Sequence, residues 1–216
     1  MTEGDKTTIR LAELIASLSI ATDLGMGQPV EYALQSCVLA VRLGEKLGLS
    51  DEQLREVYYQ ALLRYIGCNV ETDMMAALLG DEIAVRQELA TVDTADFPTT
   101  IRIITRFMWQ AQQGRSTLEL VKTMASGLFN SRRTMQETFA GHCEVAQRLA
   151  GRLGFSDNII TALGQLYERW DGKGLPFGLK GEAIATAVLV VTLAQDMIIF
   201  HRLGGVEEAV AVARRR

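Results

Sequence analysis

The residues that could carry chemistry are few and lie far apart. The chain has two histidines, His142 and His201, and three cysteines, Cys37, Cys68 and Cys143. His142 leads the run His142-Cys143-Glu144-Val145, and Arg64 and Tyr65 interrupt the apolar stretch from Leu62 to Cys68. Clustered divalent metals that activate water need histidine nitrogens and carboxylates on facing helices, and one imidazole cannot hold such a cluster. A lone histidine on an apolar helix face is either a hydrogen-bonded core residue or an axial ligand to a tetrapyrrole such as haem, with Cys68 or Cys143 as further soft ligands. No CxxCH run is present for covalent haem attachment. A guanidinium such as that of Arg64 can pair with a carboxylate or a phosphate. An odd cysteine count without CxxC argues against a disulfide framework and points to a reducing cytoplasm.

The elements that must position these residues are helical. Leu54, Val57, Tyr58, Ala61, Leu62, Tyr65 and Ile66 follow the i, i+3, i+4 rule, and no run alternates in the manner of a strand. Ser50 with Gln53, and Ser116 with Glu119, have the capping-box spacing, while Gly48 and Gly154 stand where helices should stop. The spacing predicts helices near 8–24, 29–47, 51–66, 70–79, 81–92, 98–113, 117–129, 132–153, 157–169, 182–202 and 205–215. Residues 42–51 resemble residues 148–157: each is a helix end, a glycine stop, an apolar residue and a new cap. Either this is a recurrent helix-turn-helix solution, or two similar hairpins frame a shared centre.

Composition sets the limits. Apolar residues make up 48% of 216, so a large core is feasible as one domain. A net charge of −4 argues against a nucleic-acid surface, which needs clustered Lys and Arg. The apolar stretch 183–200 contains Gln195 and Asp196, which suits a buried core helix better than a membrane span. Met74-Met75 and Phe107-Met108-Trp109 suit an adaptable core or interface.

Several stretches together resemble the HD superfamily of helical phosphohydrolases, in its HD-GYP-like branch. The family's turn and following helix match Leu47-Gly48-Leu49-Ser50 through Leu62-Leu63-Arg64-Tyr65-Ile66-Gly67-Cys68. Its later helix start matches His142-Cys143-Glu144-Val145. Its signature loop matches Leu166-Tyr167-Glu168-Arg169-Trp170-Asp171-Gly172-Lys173-Gly174-Leu175-Pro176. The resemblance covers residues 28–205 and implies an all-α bundle of about nine to eleven helices. An N-terminal helix within 1–27 would precede this core, and a C-terminal helix at 205–216 would follow it.

The departures fall on the family's metal ligands. Carried over by register, these positions hold Gln28, Tyr32, Arg64, Tyr65, Leu166, Tyr167 and Gln195, the family's following lysine becomes Cys68, and only His142 keeps a ligand type. A slip of one residue would bring Asp196 to the late position. The expectation is therefore a chain that is not an enzyme, with Tyr32, Cys37, Arg64, Tyr65, Cys68, His142, Leu166, Tyr167 and Gln195 lining the emptied centre. That centre would be packed core or a pocket for a small organic ligand, with Arg64 and the tyrosine hydroxyls as its polar groups. In the signature loop, Arg169 and Asp171 should satisfy backbone groups and Trp170 should be an apolar anchor.

Resemblance to degenerate HD modules implies a cytoplasmic sensory or regulatory domain, signalling through a small ligand or a homodimer. A LuxR-type DNA-binding output domain would follow the amphipathic end at 206–216. Two alternatives stand beside it: a metal-dependent phosphodiesterase with an altered site, and a haem sensor with His142 as axial ligand.

Overall fold

The computed structural model describes residues 10–68, 72–92, 97–111 and 117–215, without the side chains of 73, 74, 78, 97, 117–132, 134 and 215. Over these residues the chain is all-helical. In order come α1 (Leu11–Gly25), α2 (Tyr32–Lys46), α3 (Asp51–Leu63), α4 (Thr72–Leu79), α5 (Glu82–Ala90), α6 (Phe97–Ala111), α7 (Thr117–Arg152), α8 (Asp157–Leu163) and α9 (Thr186–Arg215). A short 3-10 turn at Gly181–Ala183 precedes α9.

The first hairpin is built as its residues require. Gln53 N–H donates to Ser50 Oγ at 3.3 Å and Ser50 N–H to Gln53 Oε1 at 2.9 Å, so two orphan amides at the start of α3 find partners. The two similar stretches adopt the same turn. Gly48 and Gly154 have φ of +74° and +75°, where a side chain would be strained. Beyond them Leu49 N–H donates to Gly44 O at 3.0 Å and Phe155 N–H to Ala150 O at 3.1 Å. The second cap expected from sequence, at Ser116, lies outside the described residues, as does the side chain of Met74.

Two boundaries differ from expectation, and a third agrees with it. The helices expected at 117–129 and 132–153 are one, α7. Asn130 and Ser131 are weak helix formers, but neither is the glycine or proline that stops a helix. The helix expected at 157–169 stops at Leu163, where Gly164 N–H closes the last turn onto Ile160 O and Thr161 O. Tyr167 then pairs with Leu175 in an antiparallel bridge. Within α9, Gly205 takes φ 75° and ψ −166°, which breaks the helix where two were expected.

The core lies where α9 meets α2 and α3. Val191 and Ala194 are fully buried there, with Ala40, Val57 and Ala61. Helix α1 covers α2 and α3, α8 bridges α3 and α7, and α4, α5 and α6 pack on one another. By length and composition, α9 from Thr186 to Arg214 is apolar enough to cross a membrane; its first half forms a wall of this core. All three cysteines are buried free thiols.

Helix α2 takes its cap from a distance. Its own N-cap residue, Glu31, makes no side-chain cap and sits at φ 65°. Instead Asp23 Oδ2, from the end of α1, accepts Ala33 N–H at 2.9 Å. Asp23 is fully buried and its Oδ1 has no hydrogen-bond partner, so burial raises its pKa from 3.8 to about 6 despite the amide bonds that oppose the shift. A folded-state pKa above the unfolded one makes Asp23 most favourable below pH 4, and its contribution falls as pH rises toward 6. Asp23→Asn should flatten stability across that window and match or exceed the wild type at pH 7, by roughly 1–2 kcal/mol. Denaturant unfolding at pH 4, 5, 6 and 7 checks this, and an unchanged pH slope would remove Asp23 as its source.

Candidate functional site around Arg64

Residues distant in sequence meet around Arg64. It is the C-cap of α3, followed by Tyr65 and, at the end of the same turn, Cys68. Tyr32 comes from the first turn of α2 and His142 from the middle of α7. Leu166 and Tyr167 come from the irregular segment after α8, and Gln195 from α9. Both halves of the repeated turn thus serve one centre: α2–α3 supplies Tyr32 and Arg64, and α7–α8 with its trailing segment supplies His142 and Tyr167.

The contacts are specific. Tyr32 and Tyr65 rings lie 6.1 Å apart, and their hydroxyls donate to Gln195 O at 3.3 Å and Gln195 Oε1 at 3.4 Å. Arg64 donates from one terminal nitrogen to Thr192 Oγ1 at 3.1 Å, and its guanidinium carbon is 5.9 Å from the Tyr167 ring centre. Cys68 Sγ and the Tyr167 hydroxyl share a hydrogen bond of 2.8 Å, and the same hydroxyl is 3.4 Å from His142 Nδ1. The approach of the Cys68 turn to α7 is close: a Cβ on Gly67 would stand 2.1 Å from His142 O.

Burial sets the electrostatics. Tyr32, Leu166, Gln195, His142, Cys68 and Arg64 are all buried. Removal from water pushes Tyr32, Tyr65, Tyr167 and Cys68 above their ordinary pKa values, and this outweighs the opposing pull of the Arg64 charge. All four are therefore neutral near pH 7. The one fixed charge among these lining residues is the Arg64 guanidinium, which stays protonated in proteins.

One residue expected at the centre lies elsewhere, and one expected to anchor the signature loop does not. Cys37 stands five residues after Tyr32 on α2, roughly 140° around the helix at 100° per residue, and so points away. Its thiol reaches Tyr58 O at 3.6 Å, and burial pushes its pKa up to about 12. In the signature loop, Trp170 is half-exposed and is no anchor. Glu168 does that work: it is buried and accepts Phe177 N–H at 2.7 Å and Leu179 N–H at 2.8 Å. Asp171 accepts Lys173 N–H at 3.0 Å and two bonds from Arg169, which hold its pKa down to about 2.

Sequence reasoning missed three further residues. Thr192 lies one turn before Gln195 on the same face of α9, so the spacing i, i+3 could have found it. Phe139 stacks on Tyr167 with ring centres 4.4 Å apart and stands one turn before His142. Arg86 is a second buried arginine; it donates to Cys68 O at 3.1 Å and so ties the turn to α5. No pattern near Arg86 signals this.

The donors present do not fit a divalent metal cluster. One imidazole, a protonated thiol, three neutral phenols and an amide surround a permanent cation, and among the described residues the Asp196 carboxylate is the acidic group whose charge is felt at Tyr32 and Tyr65, too few donors for a cluster. Among the described residues no three His, Cys, Asp or Glu side chains are placed to share a metal.

A model of the HD domain family matches residues 102–203. Among curated proteins, 3′3′-cGAMP-specific phosphodiesterase 3 of Vibrio cholerae is 29% identical over 205 residues, which is 94% of this chain and 44% of that protein. Among solved structures, the crystal structure of a cyclic GMP-AMP-specific phosphodiesterase of V. cholerae superposes with a TM-score of 0.66 at 26% identity. It covers 95% of this chain and 44% of that one. The chain thus spans less than half the length of the relative it matches.

These relatives correct the functional expectations. The reading as a non-enzyme, a catalytically inactive sensory or regulatory module, is overturned by the likeness to phosphodiesterases along nearly the whole chain. The physical reason is one of scope: altered ligands describe one centre and do not measure the activity of the protein that contains it. The transcriptional role gives way for the same reason, since the named relatives are phosphodiesterases. The haem reading falls with them. His142 is flanked by Phe139 and Tyr167, Cys68 is engaged by Tyr167, and burial lifts the Cys143 thiol to about 11, which suppresses thiolate ligation. What the matches leave standing is the fold: an all-helical chain, over its described residues, whose residues 102–203 match a model of the HD domain family.

Proposed function

We infer that this chain works in hydrolysis of a phosphodiester of the cyclic-dinucleotide class, with an HD-fold centre altered from the family's metal pattern. The observation that carries this reading is the match, over about nineteen-twentieths of the chain, to a phosphodiesterase that acts on cyclic GMP-AMP. The signature loop from Glu168 to Pro176 supports it, because a buried carboxylate and two amide bonds maintain that loop. In such a reaction water adds to phosphorus, one P–O ester bond breaks, and the leaving oxygen takes up a proton, which opens the ring to a linear dinucleotide.

The test is incubation of purified protein with 3′3′-cGAMP, with and without added manganese or iron, followed by chromatography of the nucleotides. Appearance of the linear product at a rate proportional to protein is the expected result. Intact cyclic dinucleotide under every metal condition, from protein that is folded by circular dichroism, would overturn the assignment.

A further inference from the structure

The centre that lacks the donors for a cation has the make-up of a site for an anion. Arg64 is 8% exposed, and among the described residues it forms no ion pair. A guanidinium taken out of water without a counter-charge is costly, and its partners here are a threonine hydroxyl and an aromatic face. Two buried donors at this spot also lack hydrogen-bond partners: Arg64 Nε and Gln195 Nε2. They stand on facing elements, the end of α3 and the middle of α9, within a set of side chains already linked to one another. Buried polar groups left unsatisfied call for a water or an ion that completes them. The lining phenols and thiol are neutral, and the carboxylate whose charge is felt there, that of Asp196, acts on Tyr32 and Tyr65 and forms no ion pair with Arg64.

We propose that the centre between α3 and α9 binds a tetrahedral oxyanion of the phosphate class, with Arg64 as its charge partner and Gln195 as a second donor. A planar guanidinium presents donors that match two oxygens of a phosphate. A cleft of about 330 Å³ shares Tyr32 with the centre and has Arg202 among its lining. The Tyr32 hydroxyl donates to Gln195 O, so this residue belongs to both the cleft and the centre. This site is independent of turnover: it concerns binding of a phosphate group, whether free or part of a nucleotide.

The experiment is titration of the full chain with inorganic phosphate, guanosine monophosphate and 3′3′-cGAMP. Binding is read by calorimetry, and thermal midpoints are read with and without each ligand. Wild type should bind one equivalent and melt higher as the ligand rises. Arg64→Met should lose binding at least tenfold and melt no lower than wild type without ligand, since it removes a buried unpaired charge. Arg64→Lys should keep part of the binding. Competition between the dinucleotide and free phosphate assigns the oxyanion to the nucleotide; binding of free phosphate alone assigns it to the inorganic ion. Absence of saturable binding of any of the three, or equal affinity in Arg64→Met, overturns the proposal. If Arg64→Met does not fold, equal affinity in a folded Arg64→Gln does the same. These arms can fail while cleavage of 3′3′-cGAMP succeeds, and the reverse.

Discussion

Gly67→Ala should cost about 3 kcal/mol or more of folding stability, at the upper end of what overpacking does. The added Cβ would stand 2.1 Å from His142 O and 2.9 Å from the carbonyl carbon of the same residue. Both are backbone atoms in the middle of α7, so no side chain can swing aside. Relief requires moving α7 away from the turn that holds Arg64, Tyr65 and Cys68, and that motion would break the Tyr167–His142 contact. The neighbouring Gly141 is the control. A Cβ there meets nothing within 4 Å, so Gly141→Ala should stabilise by about 0.5–1 kcal/mol through helix propensity alone. Equilibrium unfolding in urea measures both. A loss below about 1 kcal/mol in Gly67→Ala would mean that the turn rotates away at little cost.

Glu168→Ala is the second large effect, with an expected loss of about 3–5 kcal/mol. One carboxylate satisfies two amides, those of Phe177 and Leu179, and these bonds are charge-assisted and shielded from water. Alanine leaves both amides without that partner and leaves a void beside the Tyr167–Leu175 bridge. Glu168→Gln keeps one acceptor oxygen and places an NH2 group against the second amide, so it should fall between the two. Hydrogen exchange at Phe177 and Leu179 separates the local effect from the global one. Unchanged protection of both amides in the alanine variant would show that the carboxylate does not organise the loop.

How far the sequence foretold this molecule depends on the range of each interaction. The Ser50–Gln53 cap, the turns at Gly48 and Gly154 and the break at Gly205 depend on neighbours a few residues away, and all were legible. The register that placed Tyr32, Arg64, His142, Tyr167 and Gln195 around one point came from family resemblance, and these side chains do meet. Long-range competition was less visible. Periodicity carries a helix on through residue 169, but Gly164 closes α8, and the bridge between Tyr167 and Leu175 claims the next residues. Cys37 was misplaced because register was followed without counting its rotation around α2. The importance of Glu168 was hidden because its partners lie nine and eleven residues onward in an irregular segment. The inference from altered ligands to a non-enzyme failed at another level, since it took one centre for the whole protein.

The early end of α8 places Leu166 and Tyr167 on non-helical chain, whereas Arg64 and Gln195 belong to a helix cap and a helix. One wall of the centre is therefore tied to the bundle's skeleton, and the other hangs on loop chemistry. An engineer seeking altered selectivity could diversify the second wall by recombining loop residues between Tyr167 and Leu179 while Glu168 is kept, and could leave every helix–helix seam untouched.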